Sequence, residues 1–133
     1  MVVTQGRAPV PQTVARLEAA IAARGLTLFA KVDHAAAARA AGLELPDEVV
    51  LLLGDPRAGT GLMQEAAAVG IELPLRILVW DDGGRTRIGF RDPTALAAEY
   101  GIEAHRGTLE RMHLLLDALA AEAEGDGTQV GPG

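Results

Sequence analysis

The chain has 133 residues, a hydrophobic fraction of 49% and a formal net charge of −6 at pH 7. A chain of this length builds one core, and the acidic balance argues against nucleic-acid and anionic-membrane partners, which need clustered Lys and Arg. Because cysteine is absent, disulfides, thiolate nucleophiles and Cys-ligated metals are excluded. An apolar leader and a run of about 18 apolar residues are both lacking, so we expect a cytoplasmic protein.

Three elements are predicted before residue 33. Residues 2–5 are a short β-branched run typical of a strand. Residues 11–24 carry Val, Leu and Ile at helical spacing and are followed by a glycine, which favours a helix. Residues 26–32 alternate, so the even-numbered side chains are expected on one face of a strand and the odd-numbered ones on the other.

A short helix, a strand and a longer helix are predicted next. Asp33 is placed as the N-cap of an Ala-rich helix that ends at Gly42. The apolar run over residues 49–53 predicts a strand that is covered on both faces and lies centrally in the sheet. The following helix is expected to begin at Asp55 and to run to Gly70.

A β-hairpin is predicted around residues 81–84, because Asp-Asp-Gly-Gly separates two alternating runs. Either a two-residue turn at Asp82 and Gly83 or a four-residue loop would place Trp80 opposite Arg85. One face of this hairpin is apolar core. The other face carries the candidate interface residues Arg76, Leu78, Trp80, Arg85 and Arg87. Trp and Arg are enriched in interface hot spots, so this face is either a contact surface or a core face covered by a helix.

Two helices close the predicted domain, one beginning at Asp92 and one at Gly107 or Thr108. Residues 124–133 have little to bury and are predicted to form a disordered tail, which leaves a single domain over residues 1–123. The order β-α-β-α-β-α-β-β-α-α predicts an α+β fold with a mixed, mostly antiparallel sheet and helices mainly on one face. Crossover helices before the hairpin would allow some parallel pairing.

Two segments are candidate ligand sites. His34 follows a strand end and could act as a base or ligand beside a carboxylate, or simply cover the first turn of a helix that Asp33 caps. The loop over residues 54–60 could cradle an anion at a helix N-terminus, or could be a tight strand-to-helix turn. One shared site requires the two segments to lie within about 12 Å of each other. The candidate ligand-binding residues are Asp33, His34, Gly54, Arg57, Gly59 and Thr60.

Metal and cofactor chemistry receives little support from the sequence. His105 and His113 are eight residues apart, which separates them by about 12 Å along a helix, so they cannot bind one ion. We therefore predict no metal site and no cofactor, and we leave open whether any reaction is catalysed.

Three stretches together carry a family resemblance: Gly25-Leu26-Thr27 through Val32-Asp33-His34-Ala35-Ala36-Ala37, then Leu53-Gly54-Asp55-Pro56-Arg57-Ala58-Gly59-Thr60, and Leu73-Pro74-Leu75-Arg76-Ile77-Leu78-Val79-Trp80. In this order and spacing they resemble the bacterial and archaeal family called domain of unknown function 302. The resemblance covers residues from about 13 to 121. It implies a TATA-binding-protein-like fold with a curved antiparallel sheet, association as homodimers, and no established activity.

The resemblance favours the Trp80 face as an interface, because the family is expected to dimerise. The resemblance implies that many relatives have Asn at the position of Asp55, and since both residues cap helices the exchange suits a structural role. Our first hypothesis is therefore a domain that binds a small molecule or anion near the two candidate segments. The alternative is a non-catalytic homodimeric interaction module that uses the Trp80 face.

Overall fold

Five strands form one antiparallel sheet in the computed structural model, which describes residues 1–125. They are β1 (Val2–Gln5), β2 (Thr27–Asp33), β3 (Glu48–Gly54), β4 (Leu75–Asp82) and β5 (Arg85–Phe90). Their order is β1-β5-β4-β3-β2, and every neighbouring pair is antiparallel. The mostly antiparallel sheet is confirmed, and the parallel pairing that the crossover helices would have allowed does not occur among these five strands. The first crossover carries the chain from one edge to the other, and each later strand turns back beside the one before it.

The helices are α1 (Val10–Ala23), α2 (His34–Ala40), α3 (Pro56–Glu65), α4 (Leu96–Tyr100) and α5 (Arg106–Glu124). Short 3₁₀ segments cover Ala67–Glu72 and Pro93–Ala95. Helix α1 packs on β3 and β4, and α5 packs on β5, β1 and α1. The prediction of helices mainly on one face is confirmed, since these two helices enclose the main core with the inward side chains of the sheet.

The single helix predicted over residues 55–70 is wrong. Ala66 has extended backbone angles (φ −143°, ψ 93°), so α3 ends at Glu65 and a 3₁₀ segment follows. Leu62 and Val69 are both fully buried. Their spacing of seven residues fits two turns of a continuous helix. The sequence pattern therefore gave no sign of the break at Ala66.

Strand β3 is less covered than the apolar run suggested. Val49, Leu51 and Leu53 are buried on the helix side, whereas Val50 and Leu52 on the opposite side are only half-buried. The central strand is β4, with β3 beside it. The prediction of a strand covered on both faces is thus wrong, because α1 and α5 pack against one face.

The hairpin register differs by two residues from the prediction. Asp82 pairs with Arg85 and Trp80 pairs with Arg87, so the turn residues are Gly83 and Gly84, both with positive φ. Two consecutive glycines satisfy the left-handed conformation that a tight hairpin turn requires. A shift of two residues preserves the side-chain alternation, so the predicted division of the hairpin into two faces is confirmed.

Strand β2 contains an irregularity that alternation did not predict. Its pairing with β3 shifts between Leu28 and Ala30, which leaves Phe29 as the extra residue of a β-bulge. Leu28 and Lys31 lie opposite buried residues of β3, while Ala30 lies opposite half-buried Leu52. The even-numbered residues of β2 therefore do not share one face.

Helix α5 extends one residue into the segment that was predicted to form the tail. Glu124 is the last residue of this helix, and its backbone oxygen accepts a hydrogen bond from the Arg7 N–H at 3.1 Å. Residues 126–133 of the predicted disordered tail lie outside the described residues. Over residues 1–125, no helix is long and apolar enough to cross a membrane.

Candidate functional site

A groove of about 260 Å³ opens beside the loop over residues 54–60. Helix α3 forms one wall, the β2 bulge contributes Phe29, and the segment before β4 contributes Leu73 and Pro74. The lining includes Phe29, Gly54, Asp55, Pro56, Gly59, Thr60, Met63, Leu73, Pro74 and Met112. Of the six candidate ligand residues, Gly54, Gly59 and Thr60 line this groove, and Arg57, Asp33 and His34 do not.

Helix α3 presents one face to the groove. Pro56, Gly59, Thr60 and Met63 follow the spacing i, i+3, i+4 and i+7, which places them on one side of a helix. A Cβ placed on Gly59 would lie 3.6 Å from Leu73 Cδ1, at ordinary contact distance. The missing side chain at this position therefore keeps the groove open.

Two apolar side chains at the groove remain accessible to solvent. Phe29 is 48% exposed and Met63 is 39% exposed, whereas Met112 is 7% exposed. Met63 follows Leu62 on α3, but Leu62 is fully buried whereas Met63 lies on the groove side of the helix. Met63 is exposed because it lies on the groove face of α3. Phe29 is exposed at the bulge in β2, which the alternation of residues 26–32 did not predict.

The loop over residues 54–60 is a capped turn. The Arg57 N–H donates to Asp55 Oδ1 at 2.9 Å, and the Gly59 N–H donates to the Asp55 backbone oxygen at 3.2 Å. Pro56 has no N–H, and the Thr60 hydroxyl donates to the Pro56 oxygen at 2.7 Å. A carboxylate thus already occupies the N-cap position, where a bound anion would benefit from the helix dipole. This geometry fits the tight strand-to-helix turn better than an anion cradle.

The Asp33-His34 pair lies at the other end of β3 from this loop. Asp33 pairs with Val49, while Thr27 pairs with Gly54. Gly54 lies five positions after Val49 along β3, which corresponds to about 17 Å at about 3.4 Å per step. The two segments therefore do not meet the 12 Å condition for a shared site, because antiparallel pairing places the end of β2 beside the start of β3.

Asp33 has the structural role that its position suggested. Its Oδ1 accepts a hydrogen bond from the Ala36 N–H at 2.9 Å, which caps α2. Gly42 follows this helix with a positive φ of 80°, as expected for the residue after a C-cap. The side chain of His34 is exposed at the first position of α2.

A carboxylate on α3 binds the start of α5, and sequence reasoning missed it. Glu65 Oε2 accepts from the N–H groups of Glu103 (2.7 Å) and Ala104 (3.0 Å). Glu65 Oε1 accepts from the His105 N–H at 2.9 Å and lies 2.7 Å from His105 Nδ1. The backbone N–H of Glu103, followed by the His105 ring, lowers the pKa of Glu65 to about 2. Glu65 and Gly61 lie on the side of α3 opposite the groove, and a Cβ at Gly61 would lie 3.3 Å from His105 Nε2.

His113 also lies beside a carboxylate. Its Nδ1 is 3.2 Å from Asp92 Oδ1, and its ring meets Phe90 edge-on with the centroids 5.9 Å apart. Hydrogen bonds from Thr94, more than the charge of His113, lower the pKa of Asp92. The two histidines considered for zinc thus lie next to different carboxylates.

The predicted interface residues lie together on the sheet face opposite α1 and α5. Trp80 has Glu48 of β3 and Arg87 of β5 as its direct neighbours across the strands. A Cβ on Gly89 would lie 3.0 Å from Trp80 Cζ3 and 2.9 Å from Met1 Sδ. The indole ring therefore lies over Gly89. Arg85 lies opposite Asp82, two pairs closer to the turn, so Arg87 and not Arg85 is beside the indole.

Comparison with known families identifies this fold. The family described as domain of unknown function DUF302 matches residues 1–119. The chain belongs to the DUF302 family. The resemblance inferred from the sequence motifs is thereby confirmed. A solved structure, the crystal structure of an uncharacterized conserved DUF302 protein from Bacillus stearothermophilus, matches this DUF302 domain with a TM-score of 0.82 at 21% identity, over 92% of this chain and 96% of that chain.

Curated relatives of this DUF302 domain carry a functional name. The fluoride-specific ion channels FluC 1 of Brucella suis biovar 1 and FluC 1 of Brucella abortus biovar 1 are each 37% identical to it over 103 residues. The match covers 77% of this chain and 41% and 38% of those proteins, respectively. The DUF302 domain therefore spans about two fifths of the length of the curated relatives that it matches.

Proposed function

We propose that this DUF302 domain binds a small apolar molecule in the groove beside residues 54–60. The observation that carries the proposal is the exposure of Phe29 (48%) and Met63 (39%) around a concave space. Leaving large apolar side chains in water costs about 25 cal/mol for each Å² that a ligand could cover. Binding sites for small molecules are typically concave and mostly apolar, with a few polar groups.

The groove walls favour a compact, adaptable ligand. Its volume of about 260 Å³ lies just below the range of about 300–1,000 Å³ that is typical of pockets for drug-sized molecules. Met63 and Met112 contribute flexible, polarizable thioethers that adapt to ligand shape. Thr60 and Asp55 supply the polar side chains of the lining. Binding, without a proposed reaction, is the function that these walls support best.

Methionine methyl resonances provide a direct test. The protein has three methionines, of which Met63 and Met112 line the groove and Met1 lies at Gly89 on the opposite sheet face. With ¹³C-methyl-methionine protein, titration with 2-phenylethanol should move the Met63 and Met112 resonances and leave the Met1 resonance unchanged. Unmoved Met63 and Met112 resonances at millimolar probe would refute the proposal.

A variant that fills the groove makes this test specific. Gly59→Leu places a side chain between α3 and Leu73 without a positive-φ conflict, and a non-glycine residue favours the helix by about 1 kcal/mol. We expect a melting temperature at or above that of the wild type and a loss of the methyl shifts. Ala22→Leu, at an exposed position of α1, is the matched control and should bind normally. Equal binding by Gly59→Leu and the wild type would contradict the groove as the site.

The sheet face around Trp80 supports a second candidate function, a homodimeric interaction module. Glu48 and Arg87 flank Trp80 in one cross-strand row, and half-buried Val50 and Leu78 lie in the next row. Consider a twofold axis that runs parallel to β4, just above this sheet face. It would bring the two Trp80 side chains together and place each Glu48 opposite the partner's Arg87. This self-complementary pattern of charge is what a twofold interface requires.

Light scattering tests the dimer. Wild-type protein should have the mass of two chains, and Trp80→Glu should have the mass of one, because two carboxylates at the axis would repel each other. Leu114→Glu adds the same charge at a 65% exposed position on α5 and should remain a dimer. A Trp80→Glu variant with the wild-type mass, or a monomeric wild type at about 100 μM, would rule out this interface.

The curated relatives support a third candidate function, association with a membrane ion channel. They are named as fluoride-specific ion channels, and this chain matches about two fifths of their length. We therefore propose that the domain acts beside such a channel, and we assign it no transport of its own. Fluoride efflux from liposomes that contain a FluC channel should change when the purified domain is added. An unchanged rate, together with no co-purification of the two proteins, would argue against the association.

A further inference from the structure

We propose that the groove selects a primary amine with an apolar body, held by the ammonium group at Asp55 and by the apolar part between Phe29 and Met63. This inference rests on the proposed function of the groove and names the chemical class of its ligand. The sequence left an anion open as the ligand of this loop, whereas this inference assigns a cation.

The polar rim of the groove offers hydrogen-bond acceptors. Asp55 uses Oδ1 to accept the Arg57 N–H at 2.9 Å, and its second carboxylate oxygen remains able to accept. Thr60 has one hydroxyl proton, which it donates to the Pro56 oxygen at 2.7 Å, so its remaining capacity is as an acceptor. Pro56 has no N–H to offer. A ligand that binds here must therefore supply the donors, and an ammonium group supplies three.

The charge of the lining agrees with this pattern. Among the described residues that line the groove, Asp55 is the only charged one. Arg57 is exposed and belongs to the same loop, but it lies outside the lining. A carboxylate ligand would place its negative charge against Asp55, whereas an ammonium ion would form a charge-assisted hydrogen bond with it. The half-exposed ring of Phe29 could add attraction between a cation and its aromatic face.

Substitution at Asp55 can separate charge from fold. Asp and Asn cap helices about equally well, so Asp55→Asn should keep the turn and the start of α3 while it removes the negative charge. Asp33 caps α2 in the same way, with its Oδ1 2.9 Å from the Ala36 nitrogen. It lies at the other end of β3, so Asp33→Asn removes an equal charge and is the matched control.

The experiment compares three probes of similar size by the methyl shift of Met63 at pH 7: 2-phenylethylamine, 2-phenylethanol and 3-phenylpropionate. In the wild type we expect the amine to bind about tenfold more tightly than the carboxylate, with the alcohol between them. Asp55→Asn should reduce the difference between amine and carboxylate to within about twofold. Asp33→Asn should keep the full wild-type preference.

The failure of this inference can be distinguished from the failure of the proposed function. If the three probes bind the wild type equally, or if Asp55→Asn keeps the preference for the amine, the assignment of an amine ligand is overturned and apolar binding in the groove stands. If none of the probes moves the Met63 resonance, both proposals fall.

Discussion

Substitution of Glu65 by Gln should destabilise the fold in a way that depends on pH. The carboxylate accepts hydrogen bonds at both oxygens, two at Oε2 from Glu103 and Ala104, and two at Oε1 from the N–H and ring of His105. Gln offers one oxygen, which retains two of these bonds. With the amide oxygen at the Oε1 position, the NH₂ group faces the N–H groups of Glu103 and Ala104, and in the other orientation it faces the His105 N–H. The substitution therefore removes hydrogen-bond acceptors and places an NH₂ donor against backbone N–H donors. The contact between α3 and the start of α5 is weakened, and the free energy of unfolding should fall.

The lowered pKa of Glu65 sets the pH window of this effect. The pKa falls from 4.5 to about 2 in the folded protein, chiefly through the hydrogen bond from the Glu103 N–H. Because the folded pKa is depressed, the contribution of the ionised carboxylate is complete above pH 4.5 and is lost as the pH falls towards about 2. The stability gap between the wild type and Glu65→Gln should be constant from pH 7 to about pH 5 and should then narrow.

Urea denaturation at intervals from pH 7 to pH 2, with the m-value checked at each pH, measures this gap. Glu110→Gln is the matched control, since it removes the same charge from an exposed position of α5, and its midpoints should stay close to those of the wild type. Midpoints for Glu65→Gln that run parallel to the wild type down to pH 2 would refute the role assigned to the ionised carboxylate. Wild-type stability in Glu65→Gln at pH 7 would refute the hydrogen-bond network itself.

Two further predictions concern the β1–α1 turn and the open sheet face. The hydroxyls of Thr13 and Thr86 both donate to the Ala8 oxygen, at 3.1 and 2.7 Å, so each Thr→Val change should lower the free energy of unfolding in urea by about 1 kcal/mol. The double variant should lose more than the sum, because the acceptor is then left without either hydroxyl. Additive losses would contradict the shared acceptor. Gly89→Ala places a Cβ 3.0 Å from Trp80 Cζ3, so the ring must move towards water. The fluorescence emission of the single tryptophan should therefore shift to longer wavelength. An unchanged spectrum would show that the ring does not lie over this glycine.

Local features of this protein were predictable from the sequence because they depend on neighbouring residues. Asp33 bonds to an N–H three residues later and Asp55 to one two residues later, so a cap and its partner appear together in the sequence. The two faces of the β4–β5 hairpin follow from alternation, which survives even a two-residue error in register. The family resemblance used the same local motifs.

The arrangement of the groove depended on contacts between distant parts of the chain. Phe29, the α3 face around Gly59 and Met112 meet only after β2 has paired with β3 and α5 has packed on the sheet. The bulge at Phe29 is visible in the pairing with β3 and not in the alternation of β2. Glu65 reaches N–H groups 38 to 40 residues away, and a lone Glu near a helix end carries no signal of such a partner.

The sequence by itself determined the α+β class, the helix caps and the division of the hairpin into a core face and an open face, since each depends on short-range hydrogen bonds or on side-chain periodicity. Only the tertiary structure decided that His34 and the loop over residues 54–60 lie at opposite ends of β3. The direction in which β2 and β3 pair is set by how the connecting segment returns the chain, and antiparallel pairing separates two segments that parallel pairing would have brought together.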